Sequence, residues 1–212
     1  MKHLIFDLDG TLVDSYQGLS YSVIAAIKHV YPNLVMAEDV RIPIGPRIRE
    51  LIQLILGNIP EPELNQLEMK FRQIYDGKGW QKFSIYENVV QTLRTLSTER
   101  KVALYIVTNK PQLPTEKILH HTGIDTLFTE VVCPDSRQYR FENKSTSLTY
   151  LVNKYHIKKK EVFYVGDTQE DWNASLKSQI EFVGAQYGYG TFSEINMNHL
   201  TVIKNFQDLL LL

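Results

Sequence analysis

Residues 3–15 read HLIFDLDGTLVDS, an apolar run from His3 to Phe6 that passes directly into Asp7, Leu8, Asp9, Gly10 and Thr11. A short, uninterrupted apolar run of this kind predicts a strand buried on both faces, as in a parallel sheet covered by helices. The carboxyl end of such a strand is where open α/β sheets form their ligand crevice. Two carboxylates one residue apart at that end repel each other unless a cation or a shared proton compensates. Asp7 and Asp9 therefore point to a bound metal or a proton-transfer pair. Gly10 allows a sharp turn, and its amide can face an anion.

Outward from this stretch, four more runs have the same character: Val102 to Val107 (VALYIV), Val131 to Cys133 (VVC), Val162 to Val165 (VFYV) and Glu181 to Gly184 (EFVG). Helical stretches at Val89 to Leu96, Glu116 to His121 and Ser147 to Tyr155 lie between them. The alternation predicts an α/β protein with a Rossmann-like, doubly wound parallel sheet. Residues 15–82 break that rhythm. Leu19, Val23, Ala26, Ile27 and Val30, then Ile48, Leu51, Ile52, Ile55 and Leu56, then Leu64, Leu67, Phe71 and Ile74 recur at helical spacing, which predicts three or four amphipathic helices and no strand. The expected organisation is an α/β core from 1–14 and 83–212 with a small all-α cap from 15–82. Gly45-Pro46 is expected to open one of its helices with proline in the first turn. Gly77 and Gly79 read as turn glycines flanking Lys78.

Composition narrows the function classes. The 212 residues carry 23 basic and 24 acidic side chains, a net charge of −1, so there is no positive surplus to neutralise a nucleic-acid backbone. The twelve tyrosines form no basic-aromatic stripe, and the six histidines are too scattered for a zinc site. The lone Cys133 reads as a buried small hydrophobe and cannot form an internal disulfide, which fits a reducing compartment. The opening MKHLIFDLDG is interrupted by carboxylates too early for a secretory leader, and no run approaches the roughly 18 apolar residues of a membrane span. The expected location is the cytoplasm.

A second strand end repeats the acidic pattern: Tyr164-Val165-Gly166-Asp167, with Asp171 one helical turn later. Helix capping is one reading of these two carboxylates. Beside Asp7 and Asp9, the stronger one is a hard divalent cation, Mg²⁺, taking Asp7, Asp167 and a backbone carbonyl. At a third strand end, Thr108-Asn109-Lys110 offers a hydroxyl and amides to an anion. Lys144, ahead of the helix near Ser147, can offset the charge of a phosphoryl group.

DLDGTLVDS at Asp7 to Ser15, VTNK at Val107 to Lys110, Lys144 ahead of a helix, and GDTQED at Gly166 to Asp171 together resemble, in that order, the haloacid dehalogenase-like hydrolases. The resemblance is to the phosphoglycolate-phosphatase-like branch, which has a helical cap after the first motif. Phe182 to Thr191 (FVGAQYGYGT) and Arg41 to Leu51 (RIPIGPRIREL) extend it over nearly the whole chain. It implies a Mg²⁺-dependent phosphatase of a small phosphorylated metabolite: phosphoglycolate, pyrophosphate, a sugar phosphate or a nucleotide. Asp7 would attack phosphorus to give an aspartyl-phosphate, while Asp9 protonates the leaving oxygen and then deprotonates water. Asp7, the Asp9 carbonyl and Asp167 would hold the metal with Asp171 in support. Gly10, Thr108, Asn109 and Lys144 would bind the phosphoryl group. Asp9, absent from the dehalogenating branch, disfavours that chemistry.

The chain departs from the family pattern at Tyr86-Glu87-Asn88, in place of Tyr-Pro-Gly, and at Ser145, where proline is common after the lysine. Trp172 and Ser178-Gln179 replace small residues after GDTQED. In the cap, Arg47 is the candidate for substrate selection, with Arg49 beside it. A phosphomutase of the β-phosphoglucomutase type is the enzymatic alternative, although Leu19 and Ser20 stand where that branch places a histidine and its Gly-x-Ser-Arg loop is absent around Gly45. A non-catalytic phosphate-binding module is the other alternative. Neither nucleic acid nor membrane is an expected partner, and a monomer or homodimer is expected.

Overall fold

A computed structural model describes residues 2–35, 42–190 and 201–212. Its strands are β1 (His3–Phe6), β2 (Val13–Asp14), β3 (Ser84–Ile85), β4 (Ala103–Val107), β5 (Glu130–Val132), β6 (Val162–Gly166), β7 (Glu181–Ala185) and β8 (Thr201–Ile203). Its α-helices are α1 (Tyr16–Val30), α2 (Ile48–Leu56), α3 (Glu61–Gly77), α4 (Val89–Arg94), α5 (Gln112–Thr122), α6 (Lys144–Lys154) and α7 (Gln169–Ser178). The chain divides into two compact units, Met1–Asp14 with Ile85–Leu212, and Ser15–Ser84.

The first unit is built on a six-stranded sheet in the order β5-β4-β1-β6-β7-β8, with every neighbouring pair parallel. The chain winds outward from β1 to β4 and β5, then crosses back to β6 and winds outward the other way. That reversal places the topological switch at β1, and crevices at such switches open beyond the carboxyl ends of the strands. Register brings three exits level: Phe6 lies beside Ile106 and Val165, and Asp7, Thr108 and Asp167 are each the first residue beyond their strand. Backbone bonds hold these exits, the Asp7 amide donating to the Val165 carbonyl (2.9 Å) and the Thr108 amide to that of Val132 (3.1 Å).

Strand burial follows from cover on both faces. Leu4, Ile5 and Phe6 are fully buried, and Ile5 joins Tyr105, Val107, Leu148, Leu151 and Tyr164 in one apolar cluster. At about 1.5–3 kcal/mol for each large apolar side chain removed from water, such a cluster fixes β1 firmly enough to hold charges at its end. The C-terminal turn Phe206–Leu211 packs on this unit: Phe206 and Leu209 are buried, and the Phe206 ring lies 5.6 Å from that of Phe6.

The five strands expected from apolar runs occur within a residue at each end. β8 is a sixth, too short in Thr201–Ile203 to stand out by composition. The helix at Val89 starts where expected, whereas α5 and α6 start earlier than the apolar pattern suggests. α5 begins at Gln112 because Pro111 precedes it in extended conformation. α6 begins at Lys144 because Asn143 makes a reciprocal capping box with Thr146.

The second unit contains three α-helices among its described residues, with a core of Val23, Ala26, Ile27, Leu51, Leu67 and Phe71. Gly45-Pro46 lies before α2, not in its first turn, and Arg47 is the extended residue at the cap position. Arg49 is not available for substrate: its guanidinium pairs with Glu61 and Glu68 and donates to Asn65, tying α2 to α3. Gly79 is a close-approach position, since a Cβ there would meet Ser22 Oγ at 2.2 Å. Arg41 and Thr191, the ends of two stretches compared above, lie outside the described residues.

Candidate active site

Asp7, at the end of β1, is 5% exposed, and Asp167 and Asp171 are fully buried. One carboxylate oxygen from each lies within 4.8 Å of the others. Three negative groups in so small a dry volume require compensation, and Lys144 supplies part of it. Its ammonium, at the first position of α6, lies 2.6 Å from Asp171 Oδ1 and 3.2 Å from Asp7 Oδ1. The second contact is an ion pair without hydrogen-bond alignment, which leaves Asp7 Oδ1 a buried oxygen with no hydrogen bond.

Asp171 is saturated. Its Oδ1 accepts from Lys144 Nζ and from the Tyr164 hydroxyl (2.7 Å), and its Oδ2 accepts from the Thr168 amide (3.0 Å) and hydroxyl (2.6 Å). Thr168 and Asp171 thereby form the capping box that starts α7. Asp167 accepts at Oδ1 from Thr11 Oγ1 (3.2 Å) and at Oδ2 from the Tyr189 amide (2.8 Å). Asp9 is gripped through both oxygens by Lys110 Nζ, at 2.9 and 2.7 Å.

The electrostatics follow from these partners. Burial pushes the Asp7 carboxyl well above its ordinary value against the pull of Lys144, and Asp171, Asp167 and Asp9 push the same way. Asp167 is raised to about 7, chiefly by burial and then by Asp171, with the Tyr189 amide, Lys144 and Thr11 opposing. For Asp171 burial also opposes ionisation, but the Lys144 charge and the bonds from Lys144, Thr168 and Tyr164 outweigh it, and its value is lowered. Lys144 is raised despite burial, because Asp171 and Asp7 favour its charged form.

Thr108 is buried at the end of β4, and its Oγ1 accepts from the Lys110 amide (3.2 Å), leaving the hydroxyl proton to donate elsewhere. The Asn109 side chain donates to Glu170 (2.8 Å). Gly10 departs from the expected role. Its amide donates to the Val13 carbonyl inside the turn (2.8 Å), so it does not face an anion. What Gly10 supplies is room: at φ 88°, a Cβ would stand 2.1 Å from Asp167 Oδ2. Arg47 belongs to the other unit, at the cap position of α2.

Sequence reasoning gave the Thr108-Asn109-Lys110 stretch to an anion without the Lys110 ammonium's grip on Asp9, and it missed Tyr164, Thr168 and Tyr189. Tyr164 carried a readable signal, since a phenol in a buried strand needs a partner for its hydroxyl. Thr168 carried another, as a hydroxyl residue three positions before Asp171. Asn88 takes the left-handed conformation (φ 62°) at the position where the family pattern has glycine, a conformation asparagine tolerates. Cys133 is buried as expected, and burial pushes its thiol up to about 12.

A doubly wound parallel sheet that gathers buried carboxylates and a lysine at its switch point defines an enzyme of the α/β class. The model of the haloacid dehalogenase-like hydrolases matches residues 4–185. The chain belongs to that family and is a phosphoric monoester hydrolase. A phosphoglycolate phosphatase of Haemophilus influenzae is 33% identical over 196 residues, covering 89% of this chain and 87% of the relative. The tyrosine-protein kinase PtkA of Mycobacterium tuberculosis is 27% identical over 203 residues, covering 95% and 68%. The crystal structure of a predicted phosphoglycolate phosphatase from Haemophilus somnus superposes with a TM-score of 0.81 at 29% identity, covering 99% of this chain and 96% of that one. Among the described residues, no helix is long and apolar enough to cross a membrane.

Proposed function

We propose that the protein is a Mg²⁺-dependent phosphatase that hydrolyses a small phosphomonoester through an aspartyl-phosphate on Asp7. The observation that carries this reading is the buried cluster of Asp7, Asp167 and Asp171 with Lys144 against it.

The residues fit a divalent cation. Four carboxylates, Asp7, Asp9, Asp167 and Asp171, face the two ammoniums of Lys110 and Lys144, leaving two negative charges in excess. Asp7 Oδ1 lacks a hydrogen bond, and Asp7 and Asp167 are both pushed toward the neutral acid by burial. Such an all-oxygen donor set suits Mg²⁺. Asp7, Asp167 and the Asp9 carbonyl would hold the ion, and Asp171, its oxygens already engaged, would act through Lys144. When bound, Mg²⁺ supplies charge neutralisation for the nucleophile and the phosphoryl oxygens.

In this reading Asp7 attacks phosphorus, its carboxylate fixed at the end of a rigid strand. Lys144 and the Thr108 hydroxyl, with the Asn109 amide, take the charge developing on the phosphoryl oxygens. Asp9, entering the reaction with a proton on an oxygen released from Lys110, protonates the leaving oxygen and then takes a proton from the water that displaces phosphate from Asp7. Lys110, by holding both of its oxygens, keeps the Asp9 carboxyl in one orientation. These groups read only a phosphoryl group, so the choice of substrate belongs to the helical unit acting as a cap, with Arg47 as its selecting residue.

The test is phosphate release with Mg²⁺ from phosphoglycolate, pyrophosphate, sugar phosphates and nucleotides, beside the Asp7→Asn variant. Release from one compound, abolished in the variant, is expected. Turnover retained by Asp7→Asn would overturn the assignment of the nucleophile.

A further inference from the structure

The segment after β7 makes an arrangement that phosphoryl transfer alone does not require. Its backbone lies directly against Asp167. A Cβ at position 188 would stand 2.3 Å from Asp167 Cβ, and one at position 190 would stand 2.1 Å from the Asp167 carbonyl oxygen. Gly188 and Gly190 therefore permit an approach that other residues forbid, and it lets the Tyr189 amide reach Asp167 Oδ2.

Two phenols pin this segment to the turn that follows β1. The Tyr189 hydroxyl donates to Asp14 Oδ1 (2.7 Å), and the Tyr187 hydroxyl donates to the Thr11 carbonyl (2.8 Å). Thr11 in turn donates its own hydroxyl to Asp167 Oδ1. The Tyr86 ring closes edge-on against Tyr187, with centroids 4.9 Å apart. Both oxygens of Asp167 thus receive a hydrogen bond from elements that the tyrosines lock together.

We infer that residues 186–190 form a strap that holds the Asp167 carboxylate in a single orientation, with Tyr189 as a positioning residue for the cation site. The inference rests on the reading of Asp167 as a metal ligand. A carboxylate free to rotate in a dry site must be ordered when an ion arrives, whereas a strapped one is already aligned. Loss of outer partners of metal ligands typically weakens metal binding by about 10–100-fold.

The experiment is Mg²⁺ titration by calorimetry on the full chain, comparing wild type with Tyr189→Phe, Asp14→Ala, their double variant and Asp167→Asn, and recording a melting temperature for each. Tyr189→Phe is expected to weaken Mg²⁺ binding about tenfold with little change in melting temperature. Asp14→Ala is expected to weaken it in the same direction, and the double variant to fall short of the sum of the two single effects, because the two side chains share one bond. Tyr187→Phe gives an independent second readout, through the bond to Thr11, in the same direction. Wild-type Mg²⁺ affinity in Tyr189→Phe, with Asp167→Asn impaired, would overturn the strap alone. Wild-type affinity in Asp167→Asn would overturn the ligand assignment, and the strap with it.

Discussion

Replacing Lys144 with methionine tests the charge balance of the site most directly. The residue is 5% exposed and its ammonium serves two buried carboxylates, Asp171 at 2.6 Å and Asp7 at 3.2 Å. Methionine fills similar volume without charge, so the variant isolates the electrostatic role. Removing one partner of a buried ion pair costs about 3–5 kcal/mol, because the remaining charge is left dry and uncompensated. For a chain of this length that corresponds to a fall of about 6–20 °C in melting temperature. The sign with pH is fixed by the same groups. In the wild type Asp171 is held below its ordinary value, so it contributes stability that is present above the unfolded carboxyl value and lost as pH falls through the folded one. In the variant burial prevails and the carboxyls rise, so stability is lost instead as pH rises. The deficit should therefore be small near pH 4 and full at pH 8. Melting followed by the fluorescence of Trp172, which lies beside Asp171 on α7, reads the α/β unit, with Trp80→Phe silencing the helical one. Added Mg²⁺ should stabilise the variant more than the wild type. A loss below about 1 kcal/mol at pH 8, the range of exposed ion pairs, would refute the reasoning, as would a loss independent of pH.

Further outcomes follow from other parts of the molecule. Phosphate release should vanish with EDTA and return with Mg²⁺; turnover without a divalent cation would contradict the charge count at the site. Asp167 is raised to about 7, so the metal-free protein should lose stability as pH rises from about 4 through 7, and Mg²⁺, which needs the anion, should raise the melting temperature more at pH 8 than at pH 6; thermal scans at both values check this. Gly10→Ala should weaken Mg²⁺ binding or prevent folding, since its Cβ would stand 2.1 Å from Asp167 Oδ2, and normal calorimetric affinity would count against that clash. Phe206→Ala should cost about 3–5 kcal/mol by denaturant unfolding, the usual cost of emptying a large buried aromatic site.

The parts of the fold that could be read from sequence were those where one chemical constraint acts alone. β1, β4, β6 and β7 are buried on both faces, so their composition announces them. Asp7 and Asp167 are legible because a carboxylate directly after an apolar run has few inexpensive explanations. Lys110 and Lys144 differ from surface lysines only through the carboxylates they meet, at separations of 101 and 27 residues, and nothing local encodes that pairing. Tyr189 is harder still, because its amide and its phenol act on different partners. Gly10 is legible as a turn glycine but not as a residue that makes room for Asp167, since a glycine amide and a missing Cβ look identical in sequence.

The capping box of α7 joins two tasks in one side chain. Asp171 closes the first turn of the helix by accepting from the Thr168 amide, and it is also the main counter-ion of Lys144. Fraying of that turn therefore discharges the site, and discharging the site loosens the turn. Hydrogen–deuterium exchange at the Thr168 amide should then report the electrical state of the centre through the one carboxylate it binds, slowing when the charge is balanced and quickening when Lys144 is removed.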